Sequence, residues 1–267
     1  MSQPSPTPVR YPSGVTTDFP WGPLANCGSG NPFFYHVYSD DFDQDIVESG
    51  YTKTTTGNGT IALTPGDGGL ALFTTNSSTP ASTDICSIQL TAAGFSLTAG
   101  KKQFYLTRLE LSSATNAAFL AGMIQTTATP FTVTDGIYFL KATGSLANLV
   151  LNTAIGSVIT SLVIPVNAYT LANASFIDLG FYVDRNQTLY AFVGFPLVGY
   201  LPAQGTGAAT PAIAGAVAAA TVLGTVYATG INWTPTAVNL NPTLAIQSGT
   251  AASSTMTADF QMASKER

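Results

Sequence analysis

From Asn31 onward the chain repeats one local pattern: a short run rich in β-branched and aromatic residues, a turn signal, then another such run. Candidate strands are 33–42, 60–63, 70–75, 85–90, 104–111, 118–125, 136–141, 146–151, 157–164, 176–183, 188–195, 243–247 and 255–263. They recur about every ten to fifteen residues, the spacing of an antiparallel sandwich or barrel. Turn formers lie between many of them: Gly57-Asn58-Gly59, Pro65 to Gly69, Ala99-Gly100, Asp135-Gly136 and Asp184-Arg185-Asn186. In 255–263, Met256, Ala258, Phe260 and Met262 alternate with Thr255, Thr257, Asp259 and Gln261. That period of two predicts a strand with one face covered. In 176–183, Ile177, Leu179, Phe181 and Val183 share a face; 184–187 makes a tight turn, and 188–195 returns as a hairpin. The one helical candidate, 212–223, is weakened by Gly215.

Composition excludes several classes. Apolar residues reach 45% and charged residues only 9%, against roughly 25% charged in an ordinary soluble domain. A disordered chain has few apolar residues and high net charge. Nine Lys and Arg against fourteen Asp and Glu, net −5, leave no basic footprint for nucleic acid. Thr, Ser, Gly, Ala and Asn fill the place of charge. An uncharged exterior supports colloidal solubility poorly and suits a body largely covered by neighbouring subunits, with few charges to desolvate.

Two segments break the strand pattern. Residues 1–32 carry Pro4, Pro6, Pro8, Pro12, Pro20, Pro23 and Pro32, which excludes a helix or a central strand. They read as an extended arm, either a disordered tail or an arm that orders on a neighbour, with Phe19, Trp21 and Leu24 as apolar anchors. The remainder, 33–267, reads as one β-sandwich domain interrupted at about 203–229 by an uncharged Ala/Gly-rich insertion. Val217, Val222, Leu223, Tyr227 and, just beyond it, Trp233 are its candidate interaction residues. The stretch 212–227 is shorter and less apolar than the ~20 residues of a spanning helix, so no membrane association is expected. The opening residues show no apolar signal core, so a product of the cytoplasm is expected. Cys27 and Cys86 then read as free thiols, with a single bridge between them as the alternative. The Asn-x-Ser/Thr triplets at Asn58, Asn76, Asn173, Asn186 and Asn232 carry no glycans in that compartment.

Catalytic chemistry has little to build on. The single histidine, His36, lies in an aromatic run and reads as a core or interface residue, since histidine catalysis needs partners that orient the ring. One His and two distant Cys do not make a zinc site. No glycine-rich phosphate loop is present, and no cofactor is expected. Asp41, Asp43 and Asp45 have the opening spacing of a calcium loop, but Ile46 and Thr52 stand where that loop needs Gly and Glu. The cluster reads as a solvated turn, with an irregular calcium site as the alternative. Glycosidases need two carboxylates across a cleft. Glu48, Glu110, Asp135, Asp178, Asp184 and Asp259 form no local acidic motif, so the sequence predicts no enzyme and no catalytic residues.

Six stretches taken together resemble a known family: YHVYSDDFD (35–43), GDGGLALFTT (66–75), AAGFSLTAGKKQFYLTRLEL (92–111), AAFLAGMIQTTATPFTVTDGIYFLK (117–141), IDLGFYVDRNQTLYAFVGFPLVGYL (177–201) and LNPTLAIQSGTAASSTMTADFQMASKER (240–267). The set resembles head decoration, or cement, proteins of tailed bacteriophages. The resemblance implies an antiparallel jelly-roll, concanavalin A-like sandwich. It also implies a virion protein on the capsid exterior that stabilises the shell, bound to the major capsid protein and to copies of itself, as a homotrimer. Gly194-Phe195-Pro196 and the 203–229 insertion depart from the family pattern. A tail fibre or other virion appendage is the nearest alternative. A carbohydrate-binding module, with Trp233, Tyr200 and Tyr227 as a platform for a host surface glycan, is the alternative of another class.

Overall fold

In a computed structural model of the chain, the described residues are 35–46, 50–66, 68–92, 94–98, 100–144, 149–164, 171–185, 188–193, 197–201 (backbone path only) and 238–267. They form sixteen strands: β1 (Tyr35–Asp40), β2 (Tyr51–Thr55), β3 (Thr60–Thr64), β4 (Leu70–Thr74), β5 (Ile85–Leu90), β6 (Phe95–Ser96), β7 (Gln103–Leu111), β8 (Ala117–Ile124), β9 (Gly136–Lys141), β10 (Leu149–Ile155), β11 (Val158–Val163), β12 (Ile177–Val183), β13 (Leu189–Val193), β14 (Leu197–Leu201), β15 (Asn239–Ser248) and β16 (Thr255–Glu266). Among the described residues there is no helix, hence none long and apolar enough to cross a membrane.

The strands build two eight-stranded antiparallel sheets. The first runs β14-β13-β12-β7-β16-β4-β3, with β1 also on β16; the second runs β11-β10-β9-β8-β15-β5-β2, with β6 also on β15. The long central strands β15 and β16 are consecutive in sequence yet lie in different sheets, so the 249–254 turn crosses the sandwich. Buried Thr75 ties that crossing: its hydroxyl lies 2.7 Å from Ser248 Oγ and accepts from the Ser254 N–H at 2.8 Å.

The core lies between the sheets, where inward residues alternate along each strand. Tyr105, Leu109 and Leu111 of β7 meet Phe119, Ala121 and Met123 of β8 in one buried cluster with Phe139, Phe181 and Ile246. Tyr105 stacks on Phe181 at 5.4 Å and Phe139 tilts against it at 6.5 Å. Each such ring removes enough apolar surface from water to contribute roughly 2–3 kcal/mol.

The predicted hairpin is present, with Leu179 opposite Val193 and Val183 opposite Leu189. Asp184 closes it by accepting the Thr188 N–H at 2.7 Å. The alternation read in 255–263 holds only in part. A β-bulge between Ala258 and Phe260 adds a residue and reverses the phase. Met256 and Ala258 face the core, but beyond the bulge Gln261 and Ala263 face it, while Phe260 and Met262 turn outward. The arm 1–32 and the insertion 203–229 lie outside the described residues.

Candidate functional site

Outward positions of the first sheet's central strands bring together residues far apart in sequence. Arg108 of β7 lies between Asp178 of β12 and Asp259 at the β16 bulge, 3.7 Å from one carboxylate and 3.3 Å from the other. Its guanidinium also covers the Phe176 ring at 4.8 Å. Glu110 follows on the same face of β7. Burial, then the neighbouring Asp259, push the Asp178 carboxyl up, against the pull of Arg108. Further along this face Phe104, Tyr182 and Phe192 form a buried cluster with Tyr35 and Tyr190 against it. Phe104 stacks on Tyr182 at 4.5 Å. An arginine held between two carboxylates beside an aromatic surface has the polar and apolar groups that a sugar-binding face uses.

The outward face of the second sheet is of another kind. Leu120, Ile124, Tyr138, Ala154 and Ala245 form a buried apolar cluster there, with Phe131 and Leu140 against it. The loop after β8 closes over part of it: Gln89 donates to the Gln125 carbonyl at 3.0 Å and accepts the Thr127 N–H at 3.0 Å. Among the described strands, β11 and β2 are the two edges of this sheet, and β11 is the apolar one. It carries no charge, and Val158, Ile159 and Val163 are 67%, 52% and 56% exposed.

Where β1, β6 and the end of β16 meet, a cavity of about 450 Å³ is lined by His36, Gly94, Thr98, Lys101, Lys265, Glu266 and Arg267. His36 packs its ring on Phe95 at 4.8 Å. Burial, then Arg267 and Lys265, hold the imidazole below its usual value, neutral near pH 7. Lys265 Nζ donates to Ser96 Oγ at 2.7 Å and Thr98 Oγ1 at 3.0 Å. Lys101 Nζ donates to the main-chain oxygen of Arg267. Glu266 is drawn away by Arg185, whose Nε donates to it at 3.1 Å.

The acidic segment after β1 is firmly built. Phe42 and Ile46 are buried anchors, while Asp43 and Asp45 are exposed between them. Phe42 has φ 51°, a left-handed conformation rare for a bulky residue. Its N–H donates to Asp40 Oδ1 at 2.9 Å. Gly69, at φ +122°, lies so close to Phe42 that a Cβ there would stand 2.2 Å from the Phe42 carbonyl oxygen. Among the described residues no group of three or more His, Cys, Asp or Glu is placed to hold a metal ion.

The interaction residues predicted from sequence, Phe19, Trp21, Leu24, Val217, Val222, Leu223, Tyr227 and Trp233, lie outside the described residues, as do Glu48 and Cys27. Tyr200 lies on β14 opposite Tyr190. Cys86 is a buried free thiol. Sequence reading missed the Arg108–Asp178–Asp259 cluster because strand order, not spacing, makes it. The signal available was one cation and two anions at outward positions on three strands.

No protein-family model and no curated protein matches the sequence. Solved structures do match in fold. An endo-1,3-beta-glucanase from Streptomyces sioyaensis superposes with a TM-score of 0.54 at 14% identity, over 86% of this chain and 96% of that one. A protein of unknown function from Shewanella oneidensis MR-1 gives 0.53 at 10% identity, over 87% of each chain. The Emp47p carbohydrate recognition domain gives 0.50 at 11% identity, over 85% and 94%. The fold is therefore the concanavalin A-like antiparallel sandwich. Its neighbours include lectin-like domains and glucanases. The expectation of no enzyme is thereby corrected. It rested on the lack of a local acidic motif, and a glycosidic hydrolase is among the proteins built on this fold. Strand order also supplies neighbouring carboxylates, Asp178 and Asp259, that no linear motif announces.

Proposed function

We propose that this chain is a structural subunit of a virion, a decoration protein that lies on a tailed-phage head, closes with copies of itself and stabilises the shell. The observation that carries this reading is the β11 edge. Free-standing β proteins blunt such edges with Lys, Pro or a bulge; β11 has none of these and leaves Val158, Ile159 and Val163 open to water. A strand of that kind is suited to being covered in an assembly. The scarcity of charge and the resemblance of the six sequence stretches support the same reading. Many copies on a lattice multiply weak contacts by avidity, and binding to the assembled state alone stabilises it by mass action. The test is to purify particles from cells that make the chain, with and without it. Particles are expected to carry it and to lose heat stability when it is deleted. Particles of unchanged composition and stability contradict the reading.

A second reading, a glycan ligand on the outward face of the first sheet, is favoured by the Arg108–Asp178–Asp259 cluster beside Phe176. The carbohydrate recognition domain and the glucanase among the fold neighbours support it. Glycan-array binding lost on Arg108→Ala, or release of sugar from 1,3-β-glucan lost on Asp178→Asn, would establish it in place of the first.

A further inference from the structure

We propose that copies of this chain join head to tail, the basic cavity at one end of β1 receiving the acidic loop from the other end of β1 of the next copy. The inference rests on the assembly reading and names the contact within it.

Five of the nine Lys and Arg residues, Lys101, Lys102, Arg185, Lys265 and Arg267, gather at one end of a chain whose net charge is −5. Glu266 is already committed to Arg185. Among the described residues Lys265 bonds two hydroxyls, Lys101 a main-chain oxygen, and Arg267 Nε the Tyr35 carbonyl at 3.4 Å. Among the described residues none of these three cations pairs with an Asp or Glu side chain. Cations crowded around a cavity repel one another, and a carboxylate entering it relieves that cost.

The complement is presented on the same chain. From His36 to Asp41 the strand advances about 17 Å, so the two features sit at opposite ends of one strand, and no chain can close the contact on itself. Asp43 is exposed on a loop pinned by buried Phe42 and Ile46 and backed by Gly69. A pinned loop loses little freedom on docking. A knob and socket on different surfaces make a heterologous contact, which closes into a ring when the rotation between copies allows it. The closed homotrimer is the smallest such ring beyond a pair.

The test is sedimentation of the full chain. The wild type is expected to associate, with a dissociation constant that rises about tenfold or more between about 0.05 M and 0.5 M salt. Lys265→Asp and Asp43→Lys should each weaken association by at least about tenfold, and the chain carrying both should recover most of it. Lys101→Ala serves where Lys265→Asp unfolds, as judged by circular dichroism. A wild type that stays monomeric overturns the contact, as does a double reversal no better than the singles or association indifferent to both reversals. Binding of glucuronate in the cavity by a monomeric chain also overturns it and assigns the site to an acidic sugar. Attachment to particles is measured separately, by co-sedimentation with heads. A monomer that still binds heads fails this inference and leaves the decoration reading intact.

Discussion

The Tyr51 hydroxyl donates to Gln261 Oε1 at 2.9 Å, a buried bond from β2 of the second sheet to β16 of the first. The amide of Gln261 then donates to the Tyr105 hydroxyl at 2.9 Å. The β16 bulge makes this possible, because it turns a glutamine into the core where an unbroken alternation would have kept it outside. Burial holds both tyrosine hydroxyls neutral across the physiological range. The polar relay between the sheets is thus set at all working pH values.

Gln261→Leu should cost about 2–4 kcal/mol, since it leaves two buried hydroxyls without their amide partner. Tyr51→Phe should cost less, about 1–2 kcal/mol, because it orphans the Gln261 oxygen while Tyr38, which also bonds the Tyr51 hydroxyl, keeps its bond to Asp40 Oδ2. Denaturant melts of the two variants check both the sign and the order.

The amine of Lys141 is fully buried at the end of β9 and donates to the Thr115 carbonyl at 3.0 Å and to that of Ala117. Burial pushes it down from 10.5 to about 8. Between those values the unfolded chain holds a proton that the folded chain has released, so stability rises with pH through that window. Below about pH 8 both states are charged and the burial penalty is present in full. The stability of the wild type minus that of Lys141→Met should therefore rise by ~3 kcal/mol from pH 8 to 10.5. Cys86, pushed up to about 12 by burial, works in the opposite sense above pH 9. The difference between the two proteins cancels it.

Gly122→Ala should destabilise by about 2–3 kcal/mol. A Cβ at this position of β8 would stand 2.4 Å from both the Ile137 carbonyl oxygen and the Tyr138 Cα, and backbone cannot yield as a side chain can. A drop in melting temperature without loss of the folded circular dichroism signal is the expected result.

On the β11 edge, Ile159→Lys with Val163→Lys places charge where both side chains are more than half exposed. Thermal stability should change by less than about 0.5 kcal/mol, while binding to heads falls at least about tenfold. Equal binding by wild type and variant would remove β11 from the interface.

How much of this was legible in the sequence depended on range. Runs such as Ile85–Leu90 and Gly136–Lys141 were read at their observed limits, because β-branched and aromatic residues sat between clear turn formers. Tyr51–Thr55 was missed: YTKTT is polar, and its place as a strand comes from pairing with β5. Two-residue β6 exists only as a partner of β15. The bulge at Asp259 left no local mark, so the alternation of β16 was read through it. The candidate sites were least legible. The Arg108 cluster needs the order β12-β7-β16, and the basic cavity gathers residue 36 of β1, residue 101 of the loop before β7 and residues 265–267 at the end of β16. His36 was read as a core or interface residue; it is half-buried and lines that cavity.

A cryo-electron map of particles from cells that make this chain tests the structural role most directly. Density for the sandwich on the outside of the shell, with the β11 edge covered by a neighbouring subunit, is the expected result. Shells without that density, alongside a free monomer that binds or cleaves a glycan at Arg108, would contradict it.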